Sequence, residues 1–250
     1  MEEIKKWLTC DLDQLSIPTL SDDFHLHFTK IMATFHKCAS RDLKKIQDRQ
    51  RLDPKQRVNP SSVGIATRHC LKKAVSSCQT SSMLVIKFIR LRIRAAIALL
   101  PYFPNLKIVH LVRDPRGILN SQKKVGLLNT KDNNPVTELC SNLEEDLTYT
   151  KLLMKTDPNR VMLLQYEDIA EDPFKTTERL YNFANADFSS SVKTFITKMT
   201  SSSTDSCNFC TQRKNSSATA AKWRSQIKFQ QSSSYTCHAK TVWTFLGICL

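Results

Sequence analysis

Two residues eight positions apart, Arg113 and Ser121, have the types and the setting to hold an anion. Arg113 follows an apolar run at residues 106–112 (LKIVHLV) that reads as a strand buried on both faces. It precedes Asp114-Pro115, an N-cap and a first-position proline that together start a helix directly off the strand end. In open parallel sheets, ligands collect where strand carboxyl ends meet helix N-termini, whose free N–H groups and dipole favour negative charge. A guanidinium, a helix start and a hydroxyl two turns in describe a phosphate pocket, with a charge-assisted contact that can be bidentate. The alternative is that Arg113 pairs with Asp114 or another local carboxylate while Ser121 faces water.

The elements that must position this pair read as alternating strands and helices. Residues 83–86 (MLVI) form a short continuous apolar run, the pattern of a buried strand. Ile93, Ala96, Ile97 and Leu100 recur at helical spacing, and Pro101 and Pro104 end that helix before the 106–112 strand. Strand, helix and strand at this spacing imply a parallel sheet. Ser141 and Glu144 have capping-box spacing, with Leu143, Leu147 and Met154 on one face of the helix that follows. Residues 161–164 make a third strand, and Asp172-Pro173 repeats the cap-and-proline start. Val192, Phe195, Ile196 and Met199 mark another amphipathic helix, and Asn215-Ser216-Ser217 caps a last one containing Trp223-Arg224. The architecture is α/β.

Composition narrows the chemistry. The 250 residues carry 37 Lys+Arg against 23 Asp+Glu, a net charge of +14, with 41% hydrophobic residues, so the chain can bury a core and favours anionic partners. Its basic residues are scattered, without a dense run interleaved with aromatics, which argues against nucleic acid. There are only four glycines, Gly64, Gly117, Gly126 and Gly247. A Walker A loop, a G-x-G-x-x-G fingerprint and a G-x-S-x-G elbow each need closely spaced glycines, and none is present. No apolar stretch approaches the roughly 18 residues of a membrane span, and the first twenty residues do not read as a signal peptide. Nine cysteines spread along the chain suit disulfides in an oxidising compartment. Cys207-x-x-Cys210 followed by Cys237-His238 lacks the paired spacing of a structural zinc site, so no metal is expected.

The segment 107–121 (KIVHLVRDPRGILNS) resembles the 3′-phosphate-binding strand and helix of the Golgi carbohydrate 6-O-sulfotransferases, which act on galactose, N-acetylglucosamine and N-acetylgalactosamine. Three more segments match in order. Residues 83–91 resemble the family's preceding strand, and 165–173 (QYEDIAEDP) its R-Y-E-D-L-A-x-D-P segment. Residues 220–224 (AAKWR), with Cys237 and Leu246-Gly247, resemble its C-terminal pattern. The similarity covers about residues 80 to 250.

This resemblance implies a P-loop-NTPase-like sulfotransferase fold, a parallel sheet flanked by helices. Residues 81–250 would form the sulfotransferase domain and 1–80 a poorly matched helical N-terminal part. It implies transfer of a sulfuryl group from 3′-phosphoadenosine 5′-phosphosulfate (PAPS), without a metal, to a sugar hydroxyl of a glycan or acidic glycosaminoglycan. The location implied is the Golgi lumen, with a membrane anchor in the family's full-length members. Arg113 and Ser121 would hold the donor's 3′-phosphate, with Arg213 and Arg224 as further contacts near the nucleotide or an acidic glycan. Trp223 is expected to pack the core, and Glu167 and Asp168 to fix the loop after the third strand. No side chain is assigned to take the hydroxyl proton; Lys87 qualifies only by its place at a strand end. The chain departs from the family in lacking a first strand with a basic, Ser/Thr-rich 5′-phosphosulfate loop; the nearest phrase is Val63-Gly64-Ile65-Ala66-Thr67-Arg68. Truncation of a longer enzyme is the expectation, and a catalytically inactive fragment that keeps nucleotide or acidic-glycan binding is the alternative.

Overall fold

A computed structural model describes residues 1–20, 33–50, 64, 68–126, 135–203 and 211–227. The Cys207, Cys210, Cys237 and His238 set, Leu246-Gly247 and most of the 63–68 phrase lie outside the described residues. The chain divides into two compact units, Met1–Ile89 and Arg90–Leu250.

The first unit is helical: α1 (Glu2–Leu8), a 3₁₀ turn (Leu12–Gln14), α2 (Ile17–Leu20), α3 (Ala33–Gln50) and α4 (Lys72–Gln79). Leu12, Leu15, Leu20, Phe35 and Leu71 are almost fully buried together. Disulfides Cys10–Cys78 and Cys38–Cys70 close loops of 68 and 32 residues across this core. Each removes denatured-chain entropy worth about 4 kcal/mol. Cys140, in the second unit, is disulfide-bonded as well. Cys38, Asp42, His69 and Cys70 bring potential ligand atoms within 4.8 Å of one another, but the two sulfurs are joined to each other rather than free as thiolates.

Residues 83–86 do not form the strand their apolar run predicts. Val85 is 80% exposed, and no described strand lies beside the run to satisfy its backbone or cover its side chains. Lys87 therefore does not sit at a strand end.

The second unit builds an α/β layer. Helix α5 (Ile93–Ile97) leads through turns at the two prolines into β1 (Ile108–Val112), followed by α6 (Pro115–Lys124) and α7 (Pro135–Thr156). Strand β2 (Val161–Gln165) follows, then α8 (Tyr166–Glu171), α9 (Pro173–Ala184), α10 (Ser190–Thr200), α11 (Ser216–Ala221) and α12 (Trp223–Gln226). Strands β1 and β2 pair in parallel with Ile108 opposite Val161 and Val112 opposite Gln165. The sheet is parallel, as the sequence implies, but the pair that makes it is β1 with β2, connected by α6 and α7, and not residues 83–86 with 106–112 across the helix before β1. Ile93, Leu100, Ile108 and Val161 form the core, with Tyr149 and Leu153 of α7 packed on it.

Polar clamps fix the layer. Arg92 donates from Nε to both carboxylate oxygens of Asp146, at 3.0 and 2.9 Å, and from Nη2 to Glu145 at 2.8 Å, tying the start of α5 to α7. Arg160 donates to the carbonyls of Leu100, Phe103 and Leu106, satisfying the turn before β1. Ser141 does not start a helix. It lies inside α7, which starts at Pro135, so the two-residue capping pattern is overridden by the longer helix around it.

Candidate functional site

The end of β1 and the start of α6 are fixed by the sequence predicted to fix them. The Asp114 side chain accepts the backbone N–H of Arg116 at 2.9 Å, and Pro115 stands in the first turn. Pro115, Gly117 and Leu119 face inward, and the chain leaves the helix past Val125 at Gly126, whose φ of +69° a residue with a side chain rarely adopts. Asp172 repeats the cap at α9, accepting from the Lys175 N–H at 3.1 Å. Asn215 caps α11, accepting from the Ala218 N–H at 2.8 Å.

Within the motif Arg113-Asp114-Pro115-Arg116 the two arginines have divided roles. Arg116 takes the buried Asp114 carboxylate, donating from Nε at 3.1 Å and from Nη2 at 2.8 Å, and its guanidinium also lies 4.5 Å over the Trp223 ring. Asp114 is 2% exposed, so this pair neutralises a charge that would otherwise be buried alone. Arg113 is left with no carboxylate as a hydrogen-bond partner among the described residues. Its guanidinium lies 4.4 Å over the Tyr166 ring, and its buried Nε has no hydrogen-bond partner among the described residues. A buried donor without an acceptor costs roughly 1 to 3 kcal/mol, which an incoming anion would recover.

That guanidinium opens on a cavity of about 150 Å³ lined by Arg113, Ser121, Lys124, Tyr166, Arg213 and Lys222, together with Gly117, Asn120, Thr219, Trp223 and Gln226. Three of the four residues expected at the site, Arg113, Ser121 and Arg213, therefore line one concavity. Arg224 does not: it is exposed and lies 5.3 Å over the Trp223 ring. Among the described residues, four cations and no carboxylate face the space. Burial, and then the neighbouring Lys222 charge, hold the Lys124 ammonium below the ordinary lysine value. Gln226 ties the two walls, accepting from Asn120 Nδ2 at 3.1 Å and from Lys124 Nζ. Glu167 stands behind the site, accepting the Asp114 N–H at 3.1 Å; burial pushes its carboxyl up, and it braces the β1–α6 junction. Asp168 pairs with Arg179 at 3.6 Å. Trp223 is buried, as expected of a packing residue.

Sequence reasoning missed Lys124, Lys222, Tyr166 and Gly117. A Cβ built on Gly117 would stand 3.1 Å from Trp223 Cδ1 and 3.2 Å from Arg113 Nε, so the glycine lets helix, indole and guanidinium meet. Gly117→Ala should therefore lower the melting temperature despite alanine's better helix propensity, because crowding costs roughly 1 to 3 kcal/mol against a gain of about 1. It should also weaken binding of a phosphorylated nucleoside by about tenfold, equivalent to ~1.4 kcal/mol. Thermal denaturation and calorimetry on the same protein check both effects.

Comparison with known proteins finds similarity over most of the chain. A family model described as the sulfotransferase family matches residues 24–190. Carbohydrate sulfotransferase 1 of Homo sapiens is 31% identical over 189 residues, covering 66% of this chain and 46% of that protein. Carbohydrate sulfotransferase 3 of Tetronarce californica is 29% identical over 181 residues, covering 66% of this chain and 40% of that protein. Carbohydrate sulfotransferase 3 of Mus musculus is 27% identical over 255 residues, covering 91% of this chain and 52% of that protein. The chain thus spans about half the length of the curated relatives it matches. No solved structure matches it significantly.

Proposed function

Because the chain belongs to the sulfotransferase family, we propose that it serves transfer of a sulfuryl group from PAPS to the 6-hydroxyl of a sugar in a glycan or glycosaminoglycan, in the Golgi lumen. One observation carries this reading: a cavity lined by cations and, among the described residues, by no carboxylate, at the carboxyl end of a parallel strand, onto which Arg113 opens with its buried Nε lacking a hydrogen-bond partner among those residues. PAPS is the substrate that brings the activated sulfuryl group. The residues present suit its 3′-phosphate end: Arg113 as the guanidinium fork, Ser121 as the hydroxyl, and Lys124, Arg213 and Lys222 as surrounding charge. Arg224, outside the cavity, is assigned to an acidic glycan approaching past Trp223. These groups position and neutralise the donor, the part of group transfer that a protein performs without covalent chemistry.

The cavity's size favours a second reading for the 250-residue chain by itself. Ligand pockets usually measure roughly 300 to 1,000 Å³, and about 150 Å³ suits a phosphate with part of a ribose rather than the whole donor. On this reading the chain binds the nucleotide's 3′-phosphate or an acidic glycan without transferring sulfate. Labelled sulfate transfer from PAPS to a glycan panel separates the two: turnover supports the enzyme, and nucleotide binding without turnover supports the binding fragment. Failure to bind adenosine 3′,5′-bisphosphate more tightly than adenosine 5′-phosphate, together with failure to bind a sulfated glycan, overturns both.

The same binding experiment has a pH signature. Lys124 attracts an anion only while protonated, and its value lies below the ordinary 10.5. Affinity for the 3′-phosphate should therefore be full near neutrality and decline as pH rises through that lowered value, before an unperturbed lysine would respond. Lys124→Met should remove this alkaline decline. Calorimetry from neutral to alkaline pH measures it.

A further inference from the structure

We infer that Asn215 is an acceptor for an N-linked glycan. Asn215-Ser216-Ser217 is the one N-x-S/T triplet in the 250 residues whose middle residue is not proline, proline there, as in Asn59-Pro60-Ser61, barring glycosylation. The structure adds what the triplet alone cannot. Asn215 and Ser217, the two residues a glycan-transferring enzyme must reach, are both exposed: Asn215 has an extended backbone, φ −146° and ψ 110°, just ahead of α11, and Ser217 stands in that helix's first turn. Ser216, between them, turns inward and donates its hydroxyl to the Ala170 carbonyl at 2.7 Å, which anchors the triplet to α8. The amide's two ends are separated in role: Oδ1 caps α11 by accepting the Ala218 N–H at 2.8 Å, while Nδ2 has no partner among the described residues.

The bonded cysteines supply an independent argument about compartment. Cys10–Cys78, Cys38–Cys70 and a disulfide at Cys140 require an oxidising environment of the kind in which lipid-linked oligosaccharide donors are used. In the transfer, a bond forms between Asn215 Nδ2 and the sugar C1, and the bond from C1 to the lipid pyrophosphate oxygen breaks. The amide loses one proton and the lipid pyrophosphate leaves. Oδ1 is untouched, so the glycosylated asparagine keeps its cap on α11.

The test expresses the full chain behind an added secretory signal in animal cells, with a C-terminal tag carrying an accepted glycosylation triplet as an internal control for translocation. Mass spectrometry of the peptide containing residue 215 should show a glycan that peptide:N-glycosidase removes, leaving aspartate at that position. Ser217→Ala keeps the Asn215 cap and should abolish the modification without changing the melting temperature; Ser217→Thr should retain it. A bare Asn215 in molecules whose tag is glycosylated overturns the inference, as does a glycan that survives Ser217→Ala. Because the readout is mass, it is independent of whether the cavity binds nucleotide.

Discussion

Arg113→Ala will reduce affinity for adenosine 3′,5′-bisphosphate by about 100-fold or more, while leaving the fold intact. The magnitude follows from the contact: a charge-assisted hydrogen bond contributes roughly 1.5 to 3 kcal/mol, and a fork can form two. Stability should change little, because Arg113 has no ion-pair partner among the described residues, and its removal also eliminates a buried donor that lacks an acceptor among them. What the fold loses is the stacking on Tyr166, worth about 0.5 to 2 kcal/mol. Arg113→Lys should not restore binding, since an ammonium supplies charge without the planar fork or the face that lies on the tyrosine. Calorimetry with adenosine 3′,5′-bisphosphate and with adenosine 5′-phosphate decides the matter: if Arg113→Ala left the preference for the 3′-phosphorylated nucleoside unchanged, Arg113 would not be its ligand.

The positions of Arg113 and Ser121 were legible because everything that places them is local. An apolar run makes β1, Asp114-Pro115 makes the start of α6, and eight residues of chain connect guanidinium to hydroxyl. The same logic found β2 and the starts of α9 and α11, each from a cap residue or an apolar run within a few positions. It failed at residues 83–86, where an equally apolar run has no described neighbour to pair with, because strand formation depends on a partner that local sequence does not specify. It failed at Ser141 because a hydroxyl and a glutamate three residues apart also fit comfortably on an exposed helix face.

The rest of the site was out of reach for a different reason. Lys222 comes to the cavity from about a hundred residues beyond Arg113, and no periodicity in its segment says which side chains will converge; Arg213, equally distant, was expected there only through the resemblance. The exchange of partners within the Arg113–Arg116 motif is similarly invisible: sequence adjacency offers Asp114 to both arginines, and only the packing of Trp223 under Arg116 selects between them.

That selection makes Arg116 a positioning residue for Arg113, and Arg116→Gln should lose nucleotide affinity nearly as severely as Arg113→Ala. Removing one partner of a buried pair typically costs about 3 to 5 kcal/mol, because the remaining charge is left without compensation. Asp114, 2% exposed, must then find another cation. Arg113 is adjacent in sequence, and both it and Asp114 lie close enough to Glu167 to perturb that carboxyl. Recruiting it would limit the loss of stability and take the guanidinium out of the cavity. The double variant Asp114→Asn with Arg116→Gln distinguishes this from simple damage: a neutral asparagine still caps α6 but has no charge to claim Arg113, so affinity should return toward that of the unmodified protein although the stacking of Arg116 on Trp223 is still missing. Measured on folded protein by calorimetry, Arg116→Gln with undiminished affinity, or a double variant as weak as the single one, would show that Arg116 serves packing alone.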